Sequence, residues 1–179
     1  MITTLLMVTV SILVLAFLFW AARGRSKAIA DVRDLSLQTR PVDVAAFRNL
    51  IDPAEEDFLR ANLALEVFRR VQRQRTRAAI LYVKSAAHNA SVLVRVGEAA
   101  RGNPDPQVSA AAQQLVNTAM RLRIYALLAL VKLYPATLIP GAPVSGEAVA
   151  DAYQQLTSVV SQLTRLQHPA RTIRITAAL

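Results

Sequence analysis

The side chains that could do chemistry in this sequence are mostly arginines, and they are concentrated in one short run. Residues 69–77 contain five arginines, and the stretch between Glu66 and Glu98 includes seven basic residues and no acid. Solvated helix faces tend to mix signs, since like charges at i,i+4 repel by about 0.2–0.5 kcal/mol. The run therefore predicts either a plain solvated face or a surface that binds anionic lipid headgroups or an acidic partner protein. At 100° per residue, the cations on one stripe of such a helix are Arg69, Arg73, Arg77, Lys84 and Arg95.

Nucleic acid fits the same stripe less well. The chain has a formal net charge of +9, which favours polyanionic partners in general. The stripe has no interleaved aromatic residues on which bases would stack, and the sequence contains no nucleic-acid recognition module. We therefore do not expect nucleic acid among the partners.

Groups that would support catalysis or metal binding do not converge. His88 and His168 are the two histidines, and neither has a glutamate three or four residues away. The five glycines are scattered, so no phosphate-binding loop is present, and the chain has no cysteine for a disulfide or thiolate metal site. The sequence predicts a protein that is not an enzyme, has no cofactor or bound metal, and takes no small-molecule substrate.

Arg75 differs from the other arginines because it falls on an apolar seam, between Phe68 and Ala79. An unpaired buried charge is costly. The guanidinium must therefore either reach solvent at the edge of the seam or meet a carboxylate, and we expect its role to be structural. The candidate carboxylates are Asp43, Asp57 and Asp151.

Residues 124–139 are apolar around nearly the whole circumference of a helix, with Lys132 as the one charge. Ile124, Leu128 and Val131 occupy the back of a helix whose front is already apolar. Such a helix is either the centre of a bundle, buried on both sides, or it presents a subunit interface. Membrane insertion is the least favoured alternative, since the run is short for a span and contains Lys132 and Pro135.

The strongest single pattern is at the N-terminus, where residues 1–22 contain no charged side chain. At about 1.5 Å per residue, residues 2–22 can cross a hydrocarbon core of roughly 30 Å. Trp20 lies at the expected water boundary, and Arg23, Arg25 and Lys27 follow at once. Basic residues beside a span stay in the cytoplasm. We therefore predict a retained anchor in the plasma (inner) membrane, with the N-terminus outside and the rest of the chain in the cytoplasm; the alternatives are a cleaved signal peptide and an exported domain.

The elements that position these groups are predicted to be helices. The eight prolines fall at the edges of apolar periodic segments, where a helix loses little from the missing N–H. Asp43, Asp52 and Asp105 are placed as N-caps. The predicted helices cover about one or two turns after residue 43, then residues 53–62, 63–101, 106–133 and 146–167, with Gly102 ending the longest one and Ser145 capping the last.

Apolar residues recur at 3.6-residue spacing along the three long predicted helices. Long amphipathic helices joined by short loops pack antiparallel. The fold class is therefore predicted to be all-α: a single N-terminal transmembrane helix followed by an antiparallel bundle of three long helices plus short helices. The predicted parts are an anchor (1–22), a juxtamembrane linker (23–40), a helical bundle domain (41–169) and a C-terminal tail (170–179).

Interaction surface without convergent catalytic groups predicts a non-enzymatic structural or adaptor subunit of a membrane protein assembly. The alternative is a peripheral module that binds anionic lipid or another polyanion through its arginine-rich helix face. The expected partners are the lipid bilayer and other membrane-protein subunits or further copies of the chain. The layout of anchor and helical bundle is similar to that of LemA-type bacterial membrane proteins, although no stretch of residues corresponds.

The anchor prediction can be tested directly in membranes. We expect the full chain to stay in the membrane pellet after alkaline carbonate extraction, and deletion of residues 2–22 to release it, because the apolar run is the only span predicted. Recovery of a processed chain that begins near residue 23, or digestion of the bundle by protease added to intact cells, would contradict the prediction.

Overall fold

The computed structural model describes residues 38–138, 144 and 146–167. The predicted anchor, most of the linker and the C-terminal tail lie outside the described residues. The described part of the chain is all-α, and its helices pack as a bundle, as predicted. In chain order the helices are α1 (Val44–Ile51), α2 (Pro53–Asn62), α3 (Leu65–Ala100), α4 (Pro106–Ala136) and α5 (Glu147–Gln167).

Aspartate side chains begin three of these helices, as the sequence predicts. The Oδ1 atoms of Asp43, Asp52 and Asp105 accept hydrogen bonds from the N–H groups of Ala46, Ala54 and Gln107, at 2.9, 2.9 and 2.8 Å. Each bond satisfies a donor that has no partner within the helix. Pro53 and Pro106 occupy first helical positions, where their missing N–H removes no bond.

Two predicted helix ends are wrong. Gly102 does not cap α3: Arg101 is the C-cap, in right-handed helical conformation, and its N–H donates to the Gly97 carbonyl at 3.0 Å. Because the helical bonding continues through Arg101, no left-handed residue is needed at this end. α4 runs to Ala136 rather than Leu133 and contains Pro135.

Pro135 is tolerated because it lies in the last turn of α4. Its fixed φ suits a helix, but its missing N–H removes the donor to Val131 O and its ring crowds that carbonyl; because only Ala136 follows it in α4, this cost falls on the last turn alone. Thr137 satisfies the carbonyls that remain, since its N–H donates to Leu133 O and Tyr134 O, both at 3.2 Å, and its hydroxyl also donates to Tyr134 O.

The long helices form an antiparallel bundle with α4 between α3 and α5. Gly97 of α3 lies against Ala112 and Val116 near the start of α4, whereas Lys84 lies beside Tyr134 near its end. α5 runs parallel to α3 and therefore antiparallel to α4. Its first turn meets α1, and Tyr153 further along it meets Asn89.

α1 lies between α3 and α5, and α2 covers the first turns of α3. The Phe47 ring of α1 packs against Tyr82, with ring centroids 5.5 Å apart. Arg48 of α1 donates to Asp151 of α5 at 2.6 Å, and to Gln154 at 3.0 Å. From α2, the Glu56 carboxylate accepts from Gln72 of α3 at 2.8 Å.

The predicted apolar seams of the three long helices supply the core. On α3 and α4 the seam is lined largely by small residues, which let the two backbones approach closely. The fully or nearly fully buried ones are Ala79, Ala86, Ala90, Ala112, Ala119 and Ala126. On α5 the buried seam residues are larger: Val149, Tyr153, Leu156, Val160 and Leu163.

None of the helices in the described part of the chain, α4 included, combines the length and the apolar character needed to cross a bilayer. Residues 1–37 lie outside the described part of the chain, so the anchor stays a prediction.

The close approach of α3 and α4 predicts a sharp difference between two glycines. A Cβ on Gly97 would lie 2.7 Å from Val116 Cγ2 and 3.1 Å from Ala112 O, whereas a Cβ on Gly102 would meet nothing within 4 Å. We expect Gly97→Ala to lower the free energy of unfolding by about 1–2 kcal/mol, because overpacking outweighs the gain in helix propensity. Gly102→Ala should stay within about 0.5 kcal/mol of the native chain.

Urea unfolding followed by circular dichroism measures both variants. Val116→Ala should cost less in the Gly97→Ala background than in the native chain, because there it also removes the crowding methyl group. Equal stability of the two single variants would contradict the close packing.

Candidate interaction surfaces

The outward side of α4 is an exposed apolar surface, which we call the α4 apolar face. Its members follow helical spacing and are Met120, Ile124, Leu128, Val131 and Tyr134. Ile124 and Leu128 are each 55% exposed, and Val131 is 63% exposed. α4 is central, as expected, but burial on both of its sides is not observed in the described part of the chain. Large apolar side chains that adjoin in this way mark interaction sites more often than single exposed ones do.

The apolar character is confined to the C-terminal half of α4. The corresponding outward positions nearer its start are Gln113, Gln114 and Asn117, and Gln113 Nε2 donates to Asn117 Oδ1 at 3.0 Å. The same side of one helix therefore changes from polar to apolar along its length. Exposed apolar residues scattered evenly over the surface would not be segregated in this way.

A groove of about 550 Å³ adjoins the α4 apolar face on the side of α5. α4 contributes Tyr125, Leu128 and Lys132 to it, and Leu128 belongs to both the face and the groove. The opposite walls come from Ile51 and Pro53, where α1 gives way to α2, and from the first turn of α5, which includes Glu147. The groove is thus a concave, mostly apolar extension of an otherwise convex face.

The predicted arginine stripe divides into two parts on the folded chain. Arg69, Arg73 and Arg77 are exposed, and none of them lies within ion-pair distance of a carboxylate among the described residues. The other two cations make contacts inside the molecule: Arg95 is half-buried and donates to Gln38 Oε1 at 3.0 Å, and the Lys84 ammonium lies 5.5 Å from the centre of the Tyr134 ring.

The contact between Lys84 and Tyr134 connects the arginine stripe with the α4 apolar face. An ammonium above an aromatic ring is attracted by the ring's quadrupole. Because Lys84 belongs to the stripe and Tyr134 to the face, the two surfaces meet along the outer seam between α3 and α4. Lys84 and Tyr134 are far apart in the sequence, and the antiparallel packing of α3 and α4 brings them together.

Arg75 is buried, with 8% of its surface exposed. Its guanidinium neither reaches solvent nor pairs with a carboxylate, which were the two predicted alternatives. Its guanidinium donates to the backbone carbonyls of Leu50, at 3.0 Å from Nη2, and of Asp52, at 3.4 Å. These carbonyls stand at the C-terminal end of α1, where a cation is stabilised by the helix dipole. The predicted carboxylate partner is therefore wrong: Asp43 caps α1, Asp57 is exposed and Asp151 pairs with Arg48.

A buried asparagine fastens the chain before α1 to the bundle. The Asn89 side chain is fully buried. Its Oδ1 accepts from Arg40 N at 2.8 Å and its Nδ2 donates to Arg40 O at 2.7 Å, so the amide bonds both backbone groups of one residue. Its Nδ2 also donates to Tyr153 Oη at 2.8 Å. His88 Nε2 lies 2.8 Å from Gln38 O, so this exposed histidine helps to hold the same segment. His168 lies outside the described residues.

Among the residues that the structure describes, no three His, Asp or Glu side chains come together in a way that could hold a metal ion. Comparison with protein-family models, with curated proteins and with solved structures yields no match to this chain.

Sequence reasoning missed three parts of these surfaces. It named Ile124, Leu128 and Val131 but not Tyr134, which extends the face to Lys84. It missed the groove, because its walls come from segments far apart in the chain. It also missed Asn89, although an amide among the apolar seam residues Ala86, Ala90 and Leu93 was a usable signal, since buried polar groups need partners.

The Asn89 cluster predicts a dependence of stability on alkaline pH. Burial raises the pKa of the Tyr153 phenol above its usual value, and the hydrogen bond with Asn89 acts in the opposite direction. In the unfolded chain the phenol titrates at about pH 10. Because the folded pKa lies above that value, the buried phenol contributes to the free energy of unfolding. This contribution is fully present below about pH 10 and is lost as the pH rises towards the folded pKa.

We therefore expect the stability advantage of the native chain over Tyr153→Phe to narrow above about pH 10. Urea unfolding at a series of pH values measures the difference, and absorbance at 295 nm should lose its last-titrating component in the variant. Parallel stability curves for the two proteins would contradict the burial of this hydroxyl.

Proposed function

We propose that this protein is a membrane-anchored, non-enzymatic structural or adaptor subunit of a bacterial membrane protein assembly, and that its helical bundle docks a neighbouring subunit. In this proposal residues 2–22 hold the chain in the inner membrane with the N-terminus outside. Trp20 then lies at the membrane boundary, with Arg23, Arg25 and Lys27 on the cytoplasmic side.

The α4 apolar face is the observation that carries the proposal. Three aliphatic side chains, Ile124, Leu128 and Val131, expose more than half of their surface in a row on a rigid helix. Full burial of an aliphatic side chain is worth about 1.5–3 kcal/mol before the costs of association are subtracted. A helix that is already packed in a bundle presents these side chains without the further cost of ordering its backbone on binding.

Mild detergent extraction followed by size analysis tests the proposal. We expect the native chain to elute with a second protein, and Leu128→Glu to abolish this, because a carboxylate would be desolvated at the centre of the interface. The matched control is Gln114→Glu, which adds the same charge to the polar half of α4 and should leave the complex intact.

A photo-crosslinking amino acid at position 128 sharpens this experiment. It should give an adduct of one defined mass in intact membranes, whereas the same group at position 114 should give none. A lone monomer from native membranes, with no adduct from position 128, would refute the proposal.

The alternative function, binding to anionic lipid, is favoured by one specific observation: Arg69, Arg73 and Arg77 are exposed and have no carboxylate partner among the described residues. Each basic residue near an anionic surface contributes about 1 kcal/mol. Because the chain has no cysteine, a fluorophore on Gln74→Cys reports this face alone.

For this alternative, the full chain in nanodiscs should show a salt-sensitive emission shift in anionic lipid and none in neutral lipid. Combined reversal of Arg69, Arg73 and Arg77 to glutamate should remove the shift, whereas Arg165→Glu on α5 should not. An unchanged shift in the triple variant would eliminate lipid binding by the stripe.

A further inference from the structure

We propose that the α4 apolar face and the groove beside it bind an amphipathic helix of another protein, one whose apolar stripe is flanked by aspartate or glutamate. This inference rests on the proposed function and specifies the chemistry of the docked partner. Shape and charge support it independently.

The shape of the surface favours a helix over a flat partner. The α4 apolar face is a ridge, but the adjoining groove falls away beside Leu128 to a floor that includes the buried residues Ala129 and Val149. A helix lying along the ridge can place large side chains at i, i+3 and i+4 on the ridge and into the groove, which is a common mode of helix recognition. A bilayer surface would contact the ridge and leave the groove unfilled.

All of the charged residues on α4 itself are positive. From Pro106 to Gly146 the chain contains Arg121, Arg123 and Lys132 and no acidic residue. Arg121 and Lys132 are exposed on α4, Lys132 also lines the groove, and Lys84 of α3 stands at the other edge beside Tyr134. Glu147, in the first turn of α5, is the one acid among the described lining residues of the groove.

This charge distribution selects among occupants. A second copy of the chain, docked through the same face, would bring the cations of one α4 towards those of the other, and like charges at an interface disfavour a pairing. A helix flanked by carboxylates would place opposite charges along both edges of the apolar stripe. Electrostatic complementarity of this kind sets both the association rate and the choice of partner.

Two synthetic helical peptides test the proposal directly. Both carry the same leucine stripe, one flanked by glutamate and the other by lysine, and each is titrated with the full chain in nanodiscs of neutral lipid by fluorescence anisotropy. We expect the glutamate peptide to bind at least about tenfold more tightly at low salt, and the difference to shrink as salt is raised.

Variants of the surface then assign the binding to this site. Lys132→Glu and Arg121→Glu should each weaken the glutamate peptide about tenfold and strengthen the lysine peptide, and Lys132→Gln should lie between. Leu128→Glu should abolish binding of both peptides. Arg165→Glu, the same reversal on an exposed position of α5, should change nothing, and thermal melts confirm that each variant remains folded.

Several results would overturn the inference. These are equal affinity for the two peptides, an unchanged preference in Lys132→Glu, binding that persists in Leu128→Glu, binding that requires anionic lipid, or a chain that pairs with itself through position 128. The proposed function fails separately. If the native partner crosslinks from position 128 through a segment without acidic residues, the adaptor function is supported and the acidic-helix inference is wrong. If the peptide results hold but no native partner is found, the surface binds acidic helices and the proposed adaptor function is wrong.

Discussion

The structure depends on the close contact between α3 and α4. Buried alanines lie on both helices, and at Gly97 the two helices approach so closely that an added Cβ would lie 3.1 Å from the Ala112 carbonyl oxygen. Close approach gives many dispersion contacts per unit length, and those contacts are individually weak but collectively large. The pair then acts as a rigid hairpin against which α5 and the short helices pack.

The position of α4 between α3 and α5 accounts for the exposure of the α4 apolar face. α4 carries apolar residues on three sides, but the described part of the chain covers only the two that meet α3 and α5. α1 does not relieve this, since it lies between α3 and α5 and away from α4. The other two sides of α4 are packed, so folding of the described part of the chain does not require the third side to be apolar. An exposed apolar patch of this kind is typical of an interaction surface.

Polar contacts hold the short elements in addition to apolar burial, since Phe47 and Ile51 of α1 lie in the core. Arg75 binds the carbonyl end of α1, and Asn89 pairs with both backbone groups of Arg40. Both side chains are buried, where polar atoms without partners are costly. The Asn89 amide is bonded through both of its polar atoms, whereas Arg75 bonds through Nε and Nη2 and its Nη1 has no partner among the described residues. The consequence is directional: the chain arriving from residue 38 runs along α3 past Arg95, His88 and Asn89 before it turns into α1.

The sequence by itself determined the helices, because the signals for them are local. Proline positions, aspartate caps and 3.6-residue spacing act within one or two turns, so the all-α class, most helix bounds and the buried seams could be predicted from it. Its errors at Gly102 and Pro135 are also local, and concern hydrogen bonding at helix ends. Only the tertiary structure decided which apolar side of α4 stays uncovered, that Arg75 meets carbonyls instead of a carboxylate, and that Lys84 stands beside Tyr134. These outcomes depend on contacts between residues 23 or more positions apart, and spacing along one helix holds no information about which neighbour will face it.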